Sequence, residues 1–180
     1  MKKDLAKQID IPEGIEILVN GMEVVVKKDG KELCRRFDIG RISILVSDGK
    51  VSLEAKKASK RETKMMGTIV AHIKNMFKGL GDDFVYELEI CHVHFPMNVS
   101  VSGNIVVIKS FLGETTERKA KILDKVNVDI SGNRITVTSF DIEAAGQTAA
   151  NLEKAVRLQG RDRRIFQDGI FITKKPYRVI

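Results

Sequence analysis

Apolar and polar residues alternate in short runs along most of this chain, and twice the period lengthens from two residues to that of a helix. Ile15 to Val19, Met22 to Val26, Ile42 to Val46 and Val51 to Ala55 read as strands, with Asn20-Gly21, Asp29-Gly30 and Asp48-Gly49 as the hairpin turns between them. A helix follows. Ser59 with Glu62 three residues later forms a capping box, Met66, Ile69, Val70, Ile73 and Phe77 keep helical spacing, and Gly79 is the expected stop. Val99 to Val101, Ile105 to Ile108, Val126 to Ile130 and Ile135 to Thr138 then repeat the strand pattern. A second helix is expected from about Asp141 to Arg157, with Ala145, Ala149, Leu152 and Val156 on one stripe.

The recurrence has a register. VNGMEVVVKK at 19–28 matches VSGNIVVIKS at 101–110, SDGKVSLEA at 47–55 matches ISGNRITVTS at 130–139, and Gly67 to Lys74 matches Gly146 to Glu153. Three ordered matches at nearly constant offset predict an internal duplication. The expected fold is α+β, with two duplicated domains, each an antiparallel β-sheet packed against one α-helix. The boundaries read as 1–82 for the first repeat, 83–172 for the second, and 173–180 as a basic C-terminal tail. Gly67 and Gly146 stand inside helices, where glycine costs up to about 1 kcal/mol relative to alanine. A close approach of each helix to its sheet would explain both.

With 180 residues, 43% of them hydrophobic, the chain can bury a core in one domain or two small ones. MKKDLAKQIDIPEG at the start lacks the apolar run of a secretory signal, and no stretch approaches the roughly 20 apolar residues of a membrane helix. Cys34 and Cys91 have no paired metal spacing and suit a reducing compartment. A soluble intracellular protein is expected. The net charge of +7 is unevenly placed: residues 1–82 carry +5, 83–156 carry −3, and 157–180 again +5. Such asymmetry points to a polyanion such as nucleic acid, or to an anionic membrane surface, against the plainer reading of a solvated basic face.

Signals for catalysis are weak. His92 and His94 would share one face of a strand, as two metal ligands do, but no third ligand is nearby; Cys91, Val93 and Phe95 look like the core face, leaving both histidines at the surface. Gly79-Leu80-Gly81 follows a helix and is too short for a dinucleotide fingerprint, and there is no phosphate-binding glycine loop or nucleophile elbow. His72 falls on the helix side away from the apolar stripe and reads as solvated. No catalytic residue, cofactor or metal is expected.

Residues 157–178 carry more information. Gly160 interrupts the chain after the second helix, Arg161, Arg163 and Arg164 follow, Ile165-Phe166 supply apolar anchors, Asp168-Gly169 reads as a turn, and Ile170 to Ile172 as a short strand. Anchored guanidinium groups bind phosphate with less entropy to lose than floppy ones. Lys174, Lys175 and Arg178 extend the track, with Tyr177 either a core residue or a stacking face. Gly160, Phe166, Asp168 and Gly169 are expected to shape the loop. A second basic cluster, Lys56, Lys57, Lys60, Arg61 and Lys64, surrounds the start of the first helix; Lys57, Lys60, Arg61 and Lys64 are spaced to share a side, and an external anion there would relieve the helix dipole.

The duplicated halves, HVHFPMNV at 92–99 and above all RRIFQDGIFITKK at 163–175 resemble large-subunit ribosomal protein six in its archaeal and eukaryotic form, over essentially the whole chain. The chain stops soon after Tyr177, as in the archaeal form. The resemblance implies a non-catalytic, cytoplasmic protein of the large ribosomal subunit that binds ribosomal RNA, not DNA or membrane, mainly through its second half. It also implies a position near the sarcin-ricin loop and the stalk base, beside neighbouring ribosomal proteins and close to the transiently docking translational GTPase factors. Carried to this chain, the contacts fall on Arg157, Arg161, Arg163, Arg164, Lys174, Lys175 and Arg178. Two other readings stay open: a protein-interaction module using strand edges and the basic segment, and a small metal hydrolase using His92 and His94.

Overall fold

The structure, a computed structural model, describes residues 3–47 and 49–179. Packing divides the chain into two units, Met1–Asp82 and Asp83–Ile180. In the first, strands β1 (Lys3–Asp10), β2 (Glu16–Asn20), β3 (Glu23–Lys28), β4 (Lys31–Arg36), β5 (Ser43–Ser47) and β6 (Lys50–Ala58) precede helix α1 (Lys60–Gly81). They pair antiparallel in two sheets, β2-β3-β4 and β1-β6-β5. Asp29 and Gly30 both adopt positive φ, 48° and 78°, as a two-residue type I′ hairpin requires. Of the Asp48-Gly49 turn expected between β5 and β6, Asp48 lies outside the described residues; Gly49 has φ 71° and Ser47 pairs with Lys50.

The unit therefore holds two sheets where one was expected. Each sheet buries alternate residues on one face, Val24 and Val26 from β3 and Val51, Leu53 and Ala55 from β6, and α1 packs on both. A single helix can do this because Met66, Ile69, Ile73, Met76, Phe77 and Leu80 form a buried stripe. Each such side chain contributes about 1.5–3 kcal/mol on burial. The capping box at Ser59 and Glu62 is present, and its hydrogen bonds, first that of the Ser59 hydroxyl and then that of the Ser59 N–H, hold the Glu62 carboxyl at about 2. The helix passes through Gly79 and ends at Gly81, with the Asp82 N–H donating to Lys78 O. His72 is half-buried, its ring 6.1 Å from that of Phe37, and so is less solvated than its helical position suggested.

The second unit repeats the plan and enlarges it. Its elements are β7 (Phe84–Cys91), β8 (Asn98–Ser102), β9 (Ile105–Lys109), β10 (Arg118–Lys121), β11 (Asn127–Ser131), β12 (Arg134–Ser139), α2 (Ile142–Ala155), β13 (Gly169–Lys175) and β14 (Arg178–Val179). One sheet is β8-β9-β10. The other, β11-β12-β7-β13-β14, reproduces β5-β6-β1 and adds two strands beyond β7. Val106, Ile108, Leu88, Ile135, Val137 and Ile170 line the inner faces, and α2 sets Ala145, Ala149, Leu152 and Val156 against them. Residues 173–179 are not a tail. Thr173 to Lys175 continue β13 along β7, and Lys174 and Lys175 pair with Val179 and Arg178 across the Pro176-Tyr177 turn.

The two helical glycines differ. A Cβ at Gly146 would stand 2.9 Å from the hydroxyl and 3.3 Å from Cζ of Tyr86, a phenol whose pKa is pushed up by burial, so the close approach exists there. At Gly67 a Cβ meets nothing within 4 Å, and the expectation of crowding fails. The substitutions should act in opposite directions. Gly67→Ala is expected to stabilise by up to about 1 kcal/mol through helix propensity, and Gly146→Ala to destabilise by about 1–3 kcal/mol through overpacking, both read from urea melts.

Candidate functional site

The segment joining α2 to β13 is built from its two ends. At its start, the Arg118 guanidinium donates to the Ala155 carbonyl at 3.0 Å, satisfying an end of α2 that has no helical partner. Arg118 is itself gripped by both Glu114 oxygens at 2.8 and 2.7 Å and lies over the Phe111 ring at 4.4 Å. Gly160, with φ 64°, turns the chain. A tight turn follows, in which Asp162 O accepts from the N–H groups of Ile165 and Phe166, and the Asp162 carboxylate accepts from Arg164 N at 2.9 Å.

At its far end the loop is tied by Asp168, which is 1% exposed. One carboxylate oxygen accepts from the N–H groups of Val93 and His94 at 2.9 and 3.1 Å, and the other meets His94 Nδ1 at 2.7 Å. Burial works to raise this carboxyl, but the hydrogen bonds from the His94 ring and the two backbone N–H groups outweigh it and hold it at about 2. Asp168-Gly169 is thus not a turn. Gly169 opens β13, and it is glycine because the Phe171 ring lies on it, with Cζ 3.0 Å from where a Cβ would be. The His94 ring stacks on Phe166 with centroids 4.8 Å apart, and the Arg161 guanidinium lies 4.7 Å from the centre of the same Phe166 ring.

The loop borders an open cleft of about 1040 Å³, whose lining includes Val156, Arg157, Arg163, Phe166, Ile170 and Phe171. Arg157, Arg161 and Arg163 are exposed. Arg164, 90% exposed, forks onto Asp162 at 2.7 Å, which raises the guanidinium and lowers the carboxyl. Lys174 reaches Glu87 at 2.8 Å. Lys175 is half-buried in β13, Arg178 exposed in β14, and Tyr177, 56% exposed, meets the Phe84 ring edge-on at 6.1 Å. The exposed pairs are weak in water and exchangeable for another anion.

Several sequence expectations change here. β7 ends at Cys91, so strand alternation does not reach His92 or His94; Val93 and Phe95 are 68% and 52% exposed, and His94 is the residue held in place. Of the two expected apolar anchors, Phe166 is half-buried, whereas Ile165 is 64% exposed and anchors nothing. In the first unit, Lys57 lies in β6 with φ 49°, its N–H donating to Asp4 at 2.7 Å, so only Lys60, Arg61 and Lys64 share the helix; these and Lys56 are exposed. Sequence reasoning missed His94 and Arg118, whose partners lie 74 and 37 residues away, beyond any periodic signal.

Asp168 makes a test of the tie. A carboxyl depressed in the folded state contributes stability above its unfolded value, and that contribution is lost as pH falls toward the folded one. Asp168→Asn is expected to destabilise by about 1–3 kcal/mol at neutral pH. The gap in melting temperature between it and the native protein should close as pH falls from about 5 to about 2.

A family model described as Ribosomal protein L6 matches residues 95–169. The large ribosomal subunit protein uL6 of Methanococcus vannielii is 43% identical over 176 residues, covering 98% of this chain and 97% of the relative. That of Methanobrevibacter smithii is 42% identical over 171 residues, covering 95% and 96%. Similarity at this level over nearly the full length of both chains, together with the duplicated α+β fold, shows that the chain belongs to the ribosomal protein L6 family, uL6, in its archaeal form.

Proposed function

We propose that this chain is a non-catalytic constituent of the large ribosomal subunit in the cytoplasm, binding large-subunit ribosomal RNA through its second unit. The relatives' names support the subunit. The observation that carries the RNA contact is the loop 157–168, which bears four exposed guanidinium groups, on Arg157, Arg161, Arg163 and, paired with Asp162, Arg164, and is tied at one end by Arg118 and at the other by Asp168. Fixing the backbone before binding lowers the ordering cost of each phosphate contact. Arg164 and Lys174 exchange their weak carboxylate pairs for phosphate, and Lys175, Tyr177 and Arg178 extend the track. Lys56, Lys57, Lys60, Arg61 and Lys64 form a separate contact on the first unit. The resemblance supports a seat near the sarcin-ricin loop and the stalk base, beside neighbouring ribosomal proteins and the docking site of translational GTPase factors.

Arg157→Ala combined with Arg163→Ala tests this reading. Both side chains are exposed, so the melting temperature should hold while affinity for large-subunit ribosomal RNA falls. The slope of log affinity against log salt should flatten by about 0.7–0.9 for each phosphate left without its arginine. Titration over several salt concentrations reads both, and unchanged affinity and slope would sink the assignment. A shallow native slope with tight binding to an acidic peptide would favour the protein-interaction reading instead.

A further inference from the structure

Charge alone does not need the arrangement around Phe166. Asp168 is fixed by burial and by two main-chain N–H groups, and His94 Nδ1 is fixed on Asp168 at 2.7 Å. The His94 ring lies on Phe166 with an interplanar angle of 27° and a centroid distance of 4.8 Å. Phe166 in turn carries the Arg161 guanidinium at 4.7 Å. Every link is directional: a charge-assisted hydrogen bond, a stacked ring pair and a cation over a π-face. An isolated surface arginine samples many rotamers. This one is steered by a series of contacts that ends at a buried anchor.

We infer that His94 is a positioning residue for RNA recognition: through its ring, the buried Asp168 sets the direction of the Arg161 guanidinium, so that RNA meets an arginine already aimed. The inference rests on the RNA-binding reading above and deepens it. His94 touches no phosphate in this scheme. Its role is to remove rotamer freedom that Arg161 would otherwise lose on binding. Restoring that freedom should weaken binding by about three- to tenfold, the range for immobilising one long side chain.

The test is a double-mutant cycle, read as affinity for deproteinised large-subunit ribosomal RNA of Methanococcus vannielii at several salt concentrations, beside a thermal melt of each variant. His94→Asn keeps an N–H donor for Asp168 and removes the ring. It should melt near the native protein and bind about three- to tenfold more weakly, with the salt slope kept, because Arg161 still releases its counterions once bound. Arg161→Ala should weaken binding and flatten the slope by about 0.7–0.9. Adding His94→Asn to Arg161→Ala should then cost nothing more. An equal cost of His94→Asn in both backgrounds overturns the proposal, as does a flattened slope in His94→Asn alone, which would make His94 a phosphate contact. If His94→Asn melts early, Phe166→Leu runs the same cycle from the other side, removing the ring beside Arg161 and leaving the Asp168 pair; additivity there overturns the proposal equally. Native protein that fails to bind the RNA overturns both readings, whereas native binding with additive variants overturns this one only.

Discussion

A buried carboxylate must be satisfied on the spot, because an uncompensated charge in the interior costs several kcal/mol. Asp168 is such a group, and the second unit supplies it with two main-chain N–H groups and an imidazole from one short loop. This condition couples two segments 74 residues apart. Among the conformations open to the loop after α2, those that leave Asp168 unpaired are excluded. The chain between Ala155 and Gly169 is thereby held at both ends, with Arg118 on the helix carbonyl performing the same office at the start.

That geometry sorts the cations. A guanidinium reached by a carboxylate, as Arg164 is by Asp162, has its charge answered within the loop; those of Arg157 and Arg163 stand at the cleft, and Arg161 has a ring for company. The difference concerns readiness more than final contact, since the Asp162–Arg164 and Glu87–Lys174 pairs are exposed and screened by water. On the RNA-binding reading proposed above, a phosphate chain would first meet Arg157 and Arg163, which make no ion pair among the described residues, and then draw on the rest. The excess of +5 in residues 157–180 thus acts from a defined frame.

Local rules written in adjacent residues were legible. Ser59 with Glu62, the Asp29-Gly30 hairpin and the offset between 19–28 and 101–110 each depend on neighbours a few residues apart or on a copied pattern. Strands such as β4 and β10, KELCRR and RKAK, were not, because they are polar on both sides of a single buried residue and owe their existence to the strand beside them. The site was legible in part. The basic run and its aromatics announced a shaped loop, but Asp168 looked like a turn because Asp-Gly usually is one, and His94 looked free because its partner is distant. Gly67 and Gly146 make the same point: a glycine is visible in sequence, whereas the Tyr86 ring that requires one of them is not.

The duplication also explains why the loop exists in one unit only. In the first, β1 stands at the outer edge of β1-β6-β5, and after α1 the chain passes directly into β7. In the second, the strand matching β1 is β7, and its outer edge is taken by β13. To reach that edge the chain must leave the end of α2 and cross to the far side of β7, and residues 156–168 are that crossing. A connection with such a path has few strand or helix hydrogen bonds of its own, so its backbone needs side-chain partners; Asp162 accepts from the Arg164 N–H within it, and Asp168 ties it to the N–H groups of Val93 and His94. The added strand therefore does two things at once. It covers the outer edge of β7, and it brings with it a long segment outside strand and helix that carries Arg157, Arg161, Arg163 and Arg164.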